Sequence, residues 1–411
     1  MTASPHDAPG EVDELTLELL DRYEEINLLY DIGGTLAGVF DVDVIGRTVV
    51  DRAMVVTHAS GGLFLLLEGE RARVAYRAGD VPDELIGRLG TGGDLLPRVL
   101  ASPLLIQQPV LGVRVQRHGD VFGAIALTGK QDDGVFSAGD GRLLQALAEQ
   151  TATAIHTERL VRELRQSERM RSEMEVARRL QMSLLPAHAP SIPGLELAGT
   201  CQPSGHVGGD YFDFFALPDG RLGIVVADVS GHGVGSAIVM AGLRSTLYAE
   251  VRDGAHPARV LERANAALAR DFPSTNLFVS AFLATYEPAT GTLAYSNAGH
   301  PPPLLAAGTG NVSRLEEGGL LLGIQGDAQY DRGTAQLDAG AVVAIYTDGI
   351  TEARKRGGPF FGEATLSRLV RECRVLGAAA VHTTILAAVR EHLGGESPQD
   401  DVTLVVAGRP R

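Results

Sequence analysis

The sequence predicts an α+β protein with two domains that are connected by a long helix. The chain has 411 residues, which is enough for two domains and a connector. Residues 141–185 contain no Gly or Pro after the first position, so we expect one continuous helix there. On both sides of it, short apolar runs are separated by turn residues and by amphipathic helices, a pattern typical of antiparallel sheets with segregated helices.

The first half of the chain begins with an acidic, proline-containing stretch, residues 1–12, which we expect to be disordered. Helical periodicity follows in residues 15–32 and again in residues 43–54. Ser137 is the predicted N-cap of the next helix, with Asp140 in its first turn. The predicted strands between these helices are 63–69, 73–76, 106–115 and 123–127.

Two interpretations of the long helix remain open. Its apolar stripe has a near-heptad spacing up to Leu164, and the phase slips between Val161 and Met170. One interpretation is a solvated spacer with i,i+4 ion pairs. The other, which we favour, is a parallel two-stranded coiled coil whose phase break lets two packings compete. The second interpretation predicts a homodimer.

The second half of the chain begins after a proline-rich segment, residues 186–193. Two hairpins are predicted, each from two apolar runs around a short turn, and helices follow both hairpins. The predicted hairpins are 210–217 with 222–229 and 278–286 with 291–296, and the predicted helices are 233–251, 257–270, 363–373 and 378–393.

Two carboxylates, Asp210 and Asp228, flank the first hairpin. Because alternate residues of a strand share a face, Asp210 lies with Phe212 and Phe214, and Asp228 lies on the face of Ile224 and Val226. Both acids therefore point toward the core. An unpaired buried charge costs several kcal/mol, so we expect a bound cation as partner.

Two later stretches repeat this arrangement. Asp348 ends the apolar run AVVAIYT, and Asp400 and Asp401 precede the run VTLVVA. Strand parity places Asp400 with Val402, and that face is the more apolar, so we favour Asp400 as the inward acid. Asp401 is then a residue that orients Asp400.

Four carboxylates without a histidine or cysteine cluster predict an all-oxygen site that suits Mg²⁺ or Mn²⁺ better than zinc. Two such ions roughly 3.5–4 Å apart can hold a water, lower its pKa and aim it at phosphorus. The sequence therefore predicts hydrolysis of a phosphate ester.

The stretches GGDYFDFF, ADVSGHG, SNAGHPPP, YTDGITEA and DDVTLVV resemble, in order, the motifs of the SpoIIE-type (RsbU-like) branch of the PPM metal-dependent serine/threonine phosphatases. The resemblance implies an α/β/β/α sandwich and a binuclear site. Asp210 and Asp228 would bind the metals together with the Val229 carbonyl, and Asp348 and Asp400 would complete the two coordination spheres.

The resemblance has departures. Ser230 stands where eukaryotic relatives have a histidine proposed as general acid, and His232 lies two residues further on. His300, in the stretch Asn297 to His300, stands where those relatives often have another acid. The general acid and a third metal therefore stay undetermined, and Asn297, Gly299 and His300 either line the site or form a structural loop.

Residues 13–157 resemble a GAF domain in their helix–strands–helix order, in VFGAIALTG and in FSAGDGRLLQALAEQTATAIH. The ligand of that domain is not indicated, because this half has no cysteine for a bilin and its His58 and His118 are isolated. We therefore predict a disordered tail over 1–12, a GAF-like sensor over 13–157, a helical coiled-coil linker over 158–188 and the phosphatase domain over 189–411.

Composition and sequence patterns argue against several classes of protein. The formal charge of −15 disfavours a nucleic-acid partner. No apolar run approaches the length of a membrane span, no secretory signal is visible, and Cys201 and Cys373 form no metal or disulfide pattern. These traits predict a cytoplasmic protein.

The resemblance implies that the substrate is a phosphorylated anti-sigma-factor antagonist of the STAS type. One alternative is a signalling scaffold whose phosphatase-like domain binds partners without turnover. Another is a nucleotide cyclase, suggested by GGD before an aromatic residue, but Tyr211 and Phe212 stand where that signature needs an acid.

Overall fold

The computed structural model describes residues 34–35, 38–39, 41–69, 71–131, 134–205, 207–231, 233–271 and 277–411. The predicted disordered tail and the predicted helix over 15–32 lie outside these residues. The chain divides into two compact units, Met1–Arg169 and Met170–Arg411, which are described one at a time.

The first unit has a five-stranded antiparallel sheet in the order β2-β1-β5-β4-β3. Its elements are α1 (Val42–Thr57), β1 (Ala59–Glu68), β2 (Arg71–Gly79), α2 (Asp83–Leu89), α3 (Leu95–Ala101), β3 (Leu104–Gln107), β4 (Val110–Arg117), β5 (Asp120–Lys130) and the N-terminal part of α4 (Ala138–Leu184).

Both faces of this sheet are covered by apolar side chains. Helix α1 begins at the N-cap Asp41, whose carboxylate accepts the backbone N–H groups of Asp43 and Val44. Side chains of α1, such as Val49, pack with those of α4, such as Leu147, on one face. Helices α2 and α3 cover the other face. The result is a three-layer unit.

The sequence pattern missed two features of the first unit. The short helices α2 and α3 were not predicted, because seven residues give too few turns for a visible period. The strand predicted over 106–115 is two strands, because a turn at Gln108-Pro109 interrupts it. The relation to GAF domains stays a prediction.

Helix α4 begins as the sequence predicts. The Ser137 hydroxyl accepts the N–H of Asp140 at 3.2 Å, and Asp140 accepts the N–H of Ser137 at 2.7 Å, which is a reciprocal cap. Several residues of its apolar stripe are exposed, among them Leu164 at 60% and Leu180 at 65%. The roles of this helix as a linker and a coiled coil stay predictions. No helix in the described parts of the chain is long and apolar enough to cross a bilayer.

The second unit has two sheets, antiparallel except for the pair of β10 with β13, and helices outside them. Its elements are β6 (Glu196–Gln202), β7 (Tyr211–Ala216), β8 (Leu222–Val229), α5 (Val234–Glu250), α6 (Pro257–Asp271), β9 (Val279–Glu287), β10 (Thr292–Ala298), β11 (Leu304–Ala306), β12 (Val312–Arg314), β13 (Gly318–Gly319), β14 (Gly333–Gln336), β15 (Val342–Tyr346), α7 (Asp348–Thr351), α8 (Glu363–Cys373), α9 (Ala378–Leu393) and β16 (Val402–Gly408).

The layers of the second unit follow from three apolar clusters. One sheet has the order β13-β10-β9-β8-β7, and the other has the order β12-β11-β15-β16-β6. Side chains such as Ile224 and Val405 fill the space between the sheets. Helices α5 and α6 cover the first sheet, and α8 and α9 cover the second. The predicted hairpins and the α/β/β/α arrangement are therefore present, and the loops at one edge of the two sheets carry the acidic residues.

Candidate metal centre

Asp210 lies between the two sheets, as strand parity predicts. It directly precedes β7 and is 3% exposed. Two hydroxyl groups of the opposite sheet donate to its Oδ2 atom, Thr347 at 2.8 Å and Thr403 at 2.6 Å. These bonds fix the orientation of a carboxylate that no basic side chain neutralises in the described residues.

Asp228 lies at the centre of an acidic cluster. It is on β8, half-buried, and shares a side-chain hydrogen bond with Asp210. Burial, followed by the charges of the nearby carboxylates of Asp348 and Asp400, raises the pKa of Asp228 to about 7. Burial and the charge of Asp228 likewise raise the pKa of Asp210 well above its usual range. The charged neighbours that shift these pKa values most are all carboxylates.

Asp348 and Asp400 belong to the same electrostatic cluster. Asp348 is the first residue of α7, and burial followed by the charge of Asp400 raises its pKa. In the described chain, however, no three acidic, histidine or cysteine side chains are arranged to hold a metal ion. Asp210 instead bonds to the two threonines and to Asp228. The four acids are thus electrostatic neighbours, and their common coordination of metal remains a prediction.

The expectation that Asp400 is the inward acid is wrong. Asp400 is exposed, whereas Asp401 is 5% exposed. The face of β16 that carries Val402 and Leu404 packs against α8 and α9, and the face of Val405 points between the sheets. Because helices and a second sheet bury both faces of β16, apolar character does not identify the inward one. The proposed role of Asp400 as a ligand is separate from this burial and is not affected.

Asp401 holds the segment that leads into Asp210. Its carboxylate accepts the backbone N–H of Ser204 at 2.8 Å and that of Gly209 at 2.8 Å. A Cβ atom on Gly208 would lie 1.8 Å from Asp401 Oδ2, and one on Gly209 would lie 2.4 Å from the carbonyl oxygen of Val229. Neither glycine has a positive φ. They are therefore required for close approach and not for a turn.

Gln181, near the end of α4, also holds the segment before Asp210, by hydrogen bonds to the backbone of Gly208. Its side chain donates to the carbonyl of Gly208 at 2.7 Å and accepts the N–H of Gly208 at 3.1 Å. The residue is 5% exposed. Since the backbone N–H groups of Gly208 and Gly209 are bonded to Gln181 and Asp401, they are not free to bind a phosphate.

The sequence left open whether the loop of Asn297 to His300 lines the site or is structural, and its hydrogen bonds favour a structural loop. The Asn297 side chain donates to the His300 carbonyl at 3.0 Å and accepts its N–H at 2.7 Å. The His300 ring is buried, bonds to the Ser280 hydroxyl at 2.8 Å, and burial lowers its pKa to about 3. A histidine that stays neutral in this way is not a proton donor near neutral pH.

Two other sequence predictions concern residues near the site. Ser230 accepts the N–H of Phe278 at 3.0 Å, so it has a structural partner. His232 lies outside the described residues, and its role stays undetermined. The neighbouring Asp213 is buried and accepts the Tyr211 hydroxyl at 2.9 Å on the face covered by α5.

Sequence reasoning missed Thr347, Thr403 and Gln181. The two threonines had a detectable signal, because Thr347 precedes Asp348 and Thr403 is a polar residue inside the run VTLVVA. Gln181 had none, because its partner is 27 residues away and belongs to a loop.

Comparisons with known proteins bear on the family and the fold. Residues 218–410 match the family described as Stage II sporulation protein E (SpoIIE). The chain is 28% identical over 241 residues to phosphoserine phosphatase RsbU of Bacillus subtilis, covering 58% of this chain and 71% of RsbU. It is also 28% identical over 269 residues to protein IcfG of Synechocystis, covering 58% of this chain and 42% of IcfG.

A solved structure shows the fold. The SiaA-PP2C domain of Pseudomonas aeruginosa superimposes with a TM-score of 0.53 at 20% identity, covering 60% of this chain and 98% of that domain. The C-terminal part of the chain therefore has a PP2C-like phosphatase fold. Residues 218–410, which match the SpoIIE family, lie within this part.

Proposed function

We propose that the protein is a Mg²⁺- or Mn²⁺-dependent phosphatase that acts on phosphoserine or phosphothreonine in a protein substrate. The observation that carries the proposal is the acidic cluster around Asp228, in which the carboxylates raise one another's pKa values without a neutralising cation. The similarity to a phosphoserine phosphatase supports the reaction class.

The donor set fits two hard divalent ions. Asp210, Asp228, Asp348 and Asp400 supply carboxylate oxygens, and the Val229 carbonyl lies close to Gly209, next to Asp210. Such oxygens are the ligands that Mg²⁺ and Mn²⁺ prefer. When bound, the ions would neutralise phosphoryl oxygens and lower the pKa of a water near the phosphorus.

The residues of the chain have distinct tasks in this proposal. Thr347 and Thr403 orient the carboxylate of Asp210 through its Oδ2 atom, and this carboxylate also shares a hydrogen bond with Asp228. Asp401 and Gln181 fix the backbone that leads to Asp210. The leaving hydroxyl takes its proton from a water or from an acid other than His300, since His300 is buried and neutral.

The test is hydrolysis of p-nitrophenyl phosphate and of a phosphoserine peptide with Mn²⁺. We expect Asp228→Asn to abolish both activities while the variant stays folded, because the substitution keeps the shape and removes the charge. The matched control is Asp219→Asn, in an exposed turn of the same hairpin. Full activity in Asp228→Asn would refute the site.

The scaffold alternative keeps one supporting observation, because no three acids of the described residues form a ready metal shell. A scaffold would bind a phosphoprotein without releasing phosphate. Release of phosphate by the wild-type protein in Mn²⁺, at any rate above that of Asp228→Asn, excludes this alternative.

The remaining parts of the proposal concern the whole chain. It would act in the cytoplasm on a phosphorylated STAS-type anti-sigma-factor antagonist. A GAF-like domain over 13–157 would regulate the domain over 189–411 through a dimeric coiled-coil linker over 158–188. Support comes from the exposed stripe of α4 and from the bonds of Gln181. Light scattering tests the dimer, and insertions near Gln166 test the linker.

A further inference from the structure

A loop that follows Asp348 carries the only three consecutive basic residues of the chain, Arg354, Lys355 and Arg356. We call residues 352–361 the basic loop. Its conformation is set by backbone hydrogen bonds, from Phe361 N–H to the Ala353 carbonyl at 2.8 Å and from Gly358 N–H to the Lys355 carbonyl at 2.8 Å. These backbone hydrogen bonds therefore hold the two arms of the basic loop together.

Arg354 and Phe360 form a pair on these two arms. The guanidinium carbon of Arg354 lies 4.5 Å from the centre of the Phe360 ring, and Phe360 is 51% exposed. A guanidinium that stacks on a ring keeps its N–H edge available for a carboxylate or phosphate. In the described chain, none of the three basic side chains forms an ion pair.

Two cavities lie on either side of Phe360. The smaller, of about 180 Å³, is lined by Arg354, Phe360 and Asp400 among others, so it adjoins the proposed metal centre. The larger, of about 560 Å³, is lined by Phe360, Phe361 and other residues of mixed character. The basic loop is therefore within reach of a chain segment whose phosphorylated residue lies at the acidic cluster.

The charges around the basic loop are not all positive. Glu352 lines the smaller cavity, and Glu391 and His392 line the larger. The protein as a whole has a formal charge of −15, so most of its surface repels an acidic partner. Three adjacent cations beside the site give a local exception, which is the kind of feature that selects a partner by charge.

We propose that the basic loop docks an acidic segment next to the phosphorylated residue of the substrate, with an apolar side chain of that segment in the larger cavity. This proposal rests on the proposed function, because it places the scissile phosphate at the acidic cluster. It adds a substrate class: phosphoproteins with Asp or Glu beside the phosphorylated residue.

The experiment uses the full chain with Mn²⁺ and three phosphoserine peptides that differ only in their flanking residues, which are acidic, neutral or basic. We expect the wild-type protein to prefer the acidic over the neutral peptide about tenfold in kcat/KM, mainly through KM. The preference should shrink as salt is raised. An equal kcat/KM for all three peptides, or a preference for the basic one, overturns the proposal.

The variant R354Q/K355Q/R356Q should lose most of this preference, and Phe360→Ala, which removes the ring under Arg354, should lose part of it. The matched control is Arg368→Gln on α8, where Arg368 pairs with Glu372 at 3.2 Å outside the basic loop. The control should keep the preference. A preference that survives in both loop variants overturns the proposal.

Fluorescence anisotropy of the same labelled peptides separates this proposal from the proposed function. If the wild-type protein releases no phosphate from any substrate, the proposed function fails. Tighter binding of the acidic peptide, lost in the triple variant, would still support docking, and equal binding of the acidic and neutral peptides would overturn it.

Discussion

The two units of the molecule are built from the same kinds of secondary structure, but they differ in the partners of their buried carboxylates. Each has an antiparallel sheet with helices on its outer faces, and each fills its layers with aliphatic and aromatic side chains. In the described part of the first unit, the buried acid Glu158 is paired with Arg162. In the second unit, Asp210 and Asp401 are buried and bonded to hydroxyl and backbone groups.

This difference indicates where function lies. A buried carboxylate without a cation costs free energy, and a fold keeps it only where another requirement outweighs that cost. The first unit has no such cluster in its described residues. The predictions below therefore test the second unit.

The largest effect is expected for Gly208→Ala. The new Cβ atom would lie 1.8 Å from Asp401 Oδ2, so the carboxylate or the segment has to move. We expect a loss of about 2–4 kcal/mol in the free energy of unfolding of the second unit and a fall in activity. Chemical denaturation and p-nitrophenyl phosphate hydrolysis measure both.

Gly220→Ala is the matched control for space, because nothing lies within 4 Å of a Cβ atom there, although its φ of +85° adds some strain. If the Gly208→Ala variant were no less stable than the Gly220→Ala variant, the close approach of the Asp401 carboxylate would not be the reason for glycine at position 208.

The next effect concerns the stability of the metal-free protein against pH. The pKa of Asp228 is raised to about 7, so its contribution to stability is full below the usual carboxyl range and is lost as pH rises through 7. We expect the metal-free second unit to lose on the order of 1–3 kcal/mol between acidic and alkaline pH. Mn²⁺ should reverse this loss, and should do so more strongly at the alkaline end.

Thermal melting of the wild-type protein and of Asp228→Asn with a chelator checks this expectation. The Asn variant should have a flatter pH profile. A metal-free wild-type protein that becomes more stable from pH 6 to pH 8 would contradict the arrangement of the acids.

A smaller effect is expected for Gln181→Ala. The substitution leaves the Gly208 N–H and carbonyl without partners in a buried place, which costs about 1–3 kcal/mol. If Gln181 positions Asp210, the variant should also need more Mn²⁺ for half-maximal activity. Gln181→Glu, which keeps the acceptor, should recover part of the stability.

The measurement that distinguishes a positioning role from a structural one is the Mn²⁺ concentration at half-maximal activity. A variant that loses stability and keeps its Mn²⁺ requirement would reduce Gln181 to a structural contact. Gln329→Ala is a control, because Gln329 is bonded to a backbone carbonyl at an exposed site.

Particular residues show how far sequence reasoning extends. Strand parity correctly grouped Asp210 and Asp228 with Phe212, Ile224 and Val226, the side chains that lie between the sheets. Both faces of β7 and β8 are buried, so parity alone did not identify the layer that covers each face. The expectation that Asp400 is the more buried of the two neighbouring acids was wrong, because both faces of β16 are buried and the strand begins only at Val402. Local periodicity gives no information on which layer covers a face.

Contacts between distant segments were also beyond the sequence. Gln181 and Gly208 meet only because the end of α4 packs beside the loop before β7, and no pattern in either stretch encodes that partner. The same holds for β6, which pairs with β16 along the edge of the second sheet. Pairings of this kind depend on the whole fold.

Manganese binding tests the central claim most directly. Titration of the metal-free protein, followed by electron paramagnetic resonance and calorimetry, should show two Mn²⁺ ions bound by the wild-type protein and a large loss of affinity in Asp210→Asn and in Asp228→Asn. Unaltered Mn²⁺ binding in these variants, or no binding by a folded wild-type protein at alkaline pH, would contradict the account.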